Sequence, residues 1–150
     1  MSALKLEWKR RDGGGGRTQR DFLDFVVDGQ SLSVMVGDYV SCLGWLDPEE
    51  NAKAARRLVL EEPADLPDNR CTLYVCPECG DIGCGAVSLV VERVGNQIIW
   101  RDFGYENTYE AVVHTNGFED VGPIAFDRGE YEKVINQAID PQRNLTKPCS

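Results

Sequence analysis

The sequence predicts an α+β fold: a mainly antiparallel sheet of about seven strands with two packed helices. Three observations predict it. Strand-like runs are joined by short turns such as Asp28-Gly29 and Gly95-Asn96. Two helical stretches, each opened by an aspartate cap, stand in separate blocks and do not alternate with the strands. The chain of 150 residues is long enough for one core, and a single domain over 1–150 is expected.

In order along the chain, Leu4, Leu6 and Trp8 alternate with Lys5, Glu7 and Lys9, the period of a half-buried strand. Four glycines follow at 13–16, so a flexible loop is expected over 11–17. Phe22–Val27 and Leu32–Val36 flank Asp28-Gly29 and read as a hairpin of two strands. Asp38 to Leu46 reads as loop, with Cys42 and Trp45 tucked against the core. Asp47-Pro48-Glu49-Glu50 opens a helix near 48–61, with Ala52, Ala55, Leu58 and Val59 as its apolar stripe. Arg70–Cys76, Ala86–Val94 and Gln97–Phe103 form a three-strand meander, and Tyr109–Thr115 reads as a further strand. Asp127 to Glu130 caps a second helix through Ile139, with Tyr131, Val134, Ile135 and Ala138 on one face. Pro141 stops it, and a frayed tail is expected over 141–150.

Charge narrows the function classes. The net charge is −9, with six Lys/Arg against two Asp/Glu in residues 1–20 (+4), and ten against twenty-three in residues 21–150 (−13). Such a body repels phosphate backbones, so nucleic acid is not an expected partner, whereas a basic protein is. No apolar run approaches a membrane span, and the first residues lack the apolar core of a signal peptide. A cytoplasmic location without membrane attachment is therefore expected. There, clustered cysteines are more often reduced, metal-bound or catalytic than disulfide-bonded.

The thiols concentrate in Cys76-Pro77-Glu78-Cys79-Gly80-Asp81-Ile82-Gly83-Cys84, the first connection of the meander. Cys76, Cys79 and Cys84 have the character of a zinc knuckle, but a structural site needs a fourth ligand. His114, the one histidine, is the first candidate, with Cys42, Cys149, Cys71 and Asp81 behind it. Cys-Pro-Glu-Cys also has the spacing of a dithiol oxidoreductase, yet that chemistry wants a helix N-terminus, and glycines follow here instead. The third reading is a shaped glycine-rich turn whose small thiols pack inward. Asp102-Phe103-Gly104 spells the kinase triplet without the other kinase motifs, and Cys84 with His114 is a dyad without supporting context.

The run Tyr74–Ala86, followed by Val94-Gly95-Asn96-Gln97-Ile98-Ile99-Trp100-Arg101-Asp102-Phe103-Gly104-Tyr105-Glu106, resembles a family of small bacterial α+β proteins. They share a Cys/Gly-rich hairpin turn followed by a Trp-x-Asp-Phe strand, and some carry an oxidoreductase label. By type, small acidic α+β chains of this build also resemble immunity proteins of bacterial toxin systems. That resemblance implies a non-enzymatic protein that binds a cognate basic toxin. Acids beside tyrosines make a suitable contact patch, so Glu78, Asp81, Asp102, Tyr105, Glu106 and Tyr109 are the contact candidates. No catalytic residue and no cofactor is expected on this reading. The alternatives are a small zinc-binding structural module and a thiol oxidoreductase.

Overall fold

A computed structural model describes residues 1–16, 18–37, 39–77, 85–107, 112–115, 117–141 and 145. Among the described residues the fold is α+β, with eight strands and three α-helices. The strands form two antiparallel sheets and not one sheet of about seven. The first has the order β1 (Leu4–Arg11), β2 (Arg20–Val27), β3 (Gln30–Ser31). The second runs β4 (Val40–Ser41), β5 (Arg70–Val75), β6 (Ala86–Val94), β7 (Gln97–Glu106), β8 (Ile124–Asp127). Single backbone bonds join the sheets at two seams: Leu23 N–H donates to Leu43 O (3.0 Å), and Ser2 N–H to Ala125 O (2.7 Å).

The hairpins follow their sequence signals. Leu4 pairs with Val27 and Arg11 with Arg20, so the glycine segment is the tip of a hairpin. Leu4 and Leu6 are buried and Lys5 and Glu7 are exposed, as the period-two pattern requires. Asp28 and Gly29 both take positive φ (51° and 84°), the conformation that a tight Asp-Gly turn needs.

Past that turn the expected strand Leu32–Val36 is instead a five-residue helix, α1. Its cause lies seven to nine residues upstream: the Asp24 carboxylate accepts the Ser33 N–H (3.2 Å) and gathers the Ser31 and Ser33 hydroxyls. Those bonds draw the chain into a turn, and Gly37 (φ +103°) ends it.

Helix α2 (Pro48–Leu58) starts as expected, with the Asp47 side chain accepting from Glu49 N (3.0 Å) and Glu50 N (3.2 Å). It stops three residues before the expected end, because Leu60 enters the left-handed region (φ +65°). Leu60 N–H then bonds Arg57 O and Glu61 N–H bonds Arg56 O, a Schellman closure. The buried face is Asn51, Ala54, Ala55 and Leu58, turned from the expected Ala52/Val59 stripe. Asn51 explains the turn: its amide donates to Ala138 O (2.6 Å) and its carbonyl accepts from Gly44 N (2.8 Å), so a polar side chain sits inside with its bonds made.

Helix α3 (Arg128–Gln137) is capped by Asp127 and buries Tyr131 and Ile135, with Ala138 just beyond it. The core centres on Trp100, fully buried, with edge contacts to Phe25 (5.4 Å), Phe126 (5.1 Å), Tyr131 (5.9 Å) and Phe103 (6.4 Å). Such pairs add about 0.5–1.5 kcal/mol each beyond area burial. Trp100 Nε1–H donates to the Tyr131 hydroxyl (3.0 Å), which donates to Leu58 O (2.5 Å), so one bonded chain crosses β7, α3 and α2.

Of the strand expected at Tyr109–Thr115, residues 109–111 lie outside the described residues. What is described is one bridge, in which Tyr105 and His114 exchange two backbone bonds of 2.8 Å each. The tail expected over 141–150 lies almost wholly outside the described residues.

Candidate partner-binding face

The cysteine turn connects β5 to β6 as expected, and Val75 pairs with Ala86 at its base. Glu78, Cys79, Asp81 and Cys84 lie outside the described residues, as does Tyr109. Cys76, which is described, is half-buried and free. The base of the turn is held on two sides. Arg20 Nε–H donates to Pro77 O (2.8 Å), and its guanidinium lies over the Trp45 ring, 4.5 Å from the centroid. On the other side Gly85 (φ +121°) lies so close to the Tyr105 ring that a Cβ there would collide with the phenol. Glycine is required at 85 for both its φ and that approach.

Tyr105 stands between two further rings. Tyr39 lies 6.3 Å away by centroids and His114 another 6.3 Å away, both tilted. The Tyr39–Tyr105–His114 row runs from the loop before β4 to the segment paired with β7, beside the base of the cysteine turn. Tyr39 and Tyr105 are half-buried and His114 is exposed, so part of the row's aromatic surface is open.

The acids expected at this face divide. Asp102 is exposed and sits at the bulge of β7, where the register with β6 shifts between Ser88 and Val90. Its φ of +56° turns the side chain outward, and it pairs with Arg101, which also donates to Glu92 Oε2 (2.8 Å). A pocket of about 440 Å³ opens beside it, walled by Phe103, Phe118, Val121 and Pro123 with Glu119 at the rim. Glu106 points inward: its Oε2 accepts from Ser88 Oγ (2.5 Å) and from Arg70 Nε (3.2 Å). Arg70 Nη2 continues to Ser88 O (3.0 Å) and Asp102 O (2.5 Å), so this buried arginine ties three strands and braces the bulge. Sequence reasoning assigned no role to Arg70, whose partners lie 18 to 36 residues away.

His114 pairs with β7, and β6 and β7 both intervene between it and β5, which ends at Val75 just before Cys76. That sets His114 roughly three strand spacings of about 4.8 Å from β5, while Cys79 and Cys84 of the expected knuckle lie outside the described residues. Among the described residues no group of three or more His, Cys, Asp or Glu side chains is placed to hold a metal ion. Cys42 and Cys71 are buried, and desolvation pushes their thiols up to about 12 and about 11. Both are protonated at neutral pH and poor nucleophiles.

Among the described residues no helix is long and apolar enough to cross a membrane. A scan of protein-family models finds no match to the chain, and neither curated proteins nor solved structures show significant similarity to it.

Proposed function

We propose that the chain is a non-enzymatic protein-binding module that takes a basic protein partner, in the manner of an immunity protein covering the active site of a bacterial toxin. The observation that carries the reading is the Tyr39–Tyr105–His114 row beside the base of the cysteine turn, with Asp102 exposed on the same strand as Tyr105. Half-buried tyrosines on a fixed scaffold supply contact area at low entropic cost. The net charge of −9 favours and speeds encounter with a basic partner. Tyr105 is the central anchor and Asp102 a rim charge. Glu106 acts from within, by holding Arg70 under the bulge that carries Asp102.

The test is titration calorimetry against the products of the genes adjacent to this one, basic proteins first. Tyr105→Ala is expected to weaken binding by about thirtyfold, the scale of a central aromatic anchor. Asp102→Lys is expected to slow association and reduce its salt dependence. Glu106→Lys is not a clean probe, because it would place a second cation against Arg70. No binding at micromolar concentrations, or binding that neither substitution moves, would overturn the reading.

A further inference from the structure

Beside that face, and sharing Tyr39 with it, Lys9, Arg10 and Arg11 line one pocket of about 280 Å³, together with Asp12 and Ser33. Among the described lining residues three cations stand against one acid, with Asp21 paired to Arg10 from outside the lining. Their states differ. Arg10 is matched by Asp21, with Nε 2.7 Å from Oδ1, and Arg11 Nη1–H donates to Thr18 O (2.6 Å).

Lys9 is the unusual one. It is half-buried, and its ammonium donates to two hydroxyls, Ser33 Oγ at 2.5 Å and Ser31 Oγ at 3.4 Å. Among the described residues no carboxylate lies within ion-pair range of it, and the nearest in the network is Asp24, one hydroxyl further back. Each serine hydroxyl lies within hydrogen-bonding distance of Asp24 Oδ2, the two lie 3.0 Å from each other, and both oxygens accept from Lys9. An ammonium has three N–H donors, and two are engaged. The third is left for whatever enters the pocket that Lys9 lines.

We propose that this pocket binds a phosphate monoester carried by a small molecule. Lysine holds phosphate as a point charge, and the Arg11 guanidinium adds to the field at the mouth, the Arg10 charge being matched by Asp21. A dianion with three free oxygens uses several donors at once, where a carboxylate uses fewer. The volume leaves room for a small organic group beyond the phosphate, and Tyr39 gives that group an aromatic wall.

The experiment titrates the protein with glycerol phosphate, inorganic phosphate and acetate at constant ionic strength, followed by calorimetry and by amide resonances. Saturable binding of glycerol phosphate, tighter than inorganic phosphate and with shifts centred on Lys9, Ser33 and Tyr39, is expected. Lys9→Gln should weaken it by about tenfold or more, the worth of one charge-assisted bond. Arg11→Gln leaves the Ser31/Ser33 network untouched and should weaken it by a smaller factor, while Lys5→Gln on the exposed side of β1 should not move it. No saturation at tens of millimolar, equal affinity for acetate, or binding unchanged by both Lys9→Gln and Arg11→Gln would overturn the proposal.

Discussion

Asp24 on β2 and Glu106 on β7 are both carboxylates turned into the protein, but their donors differ in kind. Asp24, 2% exposed, takes four neutral donors: the Ser31 and Ser33 hydroxyls, the Ser33 N–H and the Tyr74 hydroxyl (2.7 Å). Glu106 takes one hydroxyl and one guanidinium, and that guanidinium also serves two backbone carbonyls. Around Asp24 the stabilisation is divided among several modest bonds, so the site fastens α1 and joins the two sheets through Tyr74 with no single essential donor. Around Glu106 it is concentrated in one buried charge pair whose removal uncovers everything it holds.

The widest separation between the two sites is expected from Arg70→Ala. It leaves the Glu106 carboxylate buried without its cation and should lower the unfolding free energy by about 3–5 kcal/mol in urea melts. The pair Arg70→Met with Glu106→Leu should recover most of that loss, since a well-packed apolar pair replaces an ion pair at little cost. A double variant as unstable as Arg70→Ala would show that the backbone contacts of Arg70, and not the charge pair, dominate.

Tyr74→Phe removes one of four donors to Asp24 and should cost about 1–2 kcal/mol, with the α1 resonances retained. A loss as large as that of Arg70→Ala would collapse the distinction. The smallest effect concerns Cys42 and Cys71, buried sites without charge. Their folded thiols titrate above the ordinary value of 9.0, at about 12 and about 11. The unfolded chain therefore loses its protons first, so their contribution is complete below pH 9 and is lost as the pH rises toward those values. Between pH 8 and 10 each thiol should take about 1.4 kcal/mol from the unfolding free energy, and Cys42→Ala should remove about half of the combined slope.

The contrast also marks what a sequence can show. Asp47 and Asp127 were legible as helix caps because their acceptors lie two or three residues away. The meander β5–β6–β7 was legible because each connection is local and each strand carries its own pattern. Leu32–Val36 misled because the residues are strand-like and the group that bends them, Asp24, belongs to another strand. β4 and β8 were missed because two and four residues carry no period, and their existence depends on pairing with distant partners. At the candidate face, Tyr105 and Asp102 were named from local composition. The inward turn of Glu106 was invisible, since Arg70 is 36 residues away. The division into two sheets was likewise hidden, because the seams are single bonds between residues that no motif connects.

The three tryptophans also make this protein its own optical instrument. Trp100 is fully buried, bonded to a neutral tyrosine, and touches rings from β2, β8 and α3. Its blue emission and near-ultraviolet ellipticity therefore report whether both sheets and the helix layer are assembled. Trp45 lies under the Arg20 guanidinium at the foot of the cysteine turn. With Trp8→Phe, the two remaining indoles separate spectrally into a deep reporter of assembly and a shallow reporter of whatever settles on the turn.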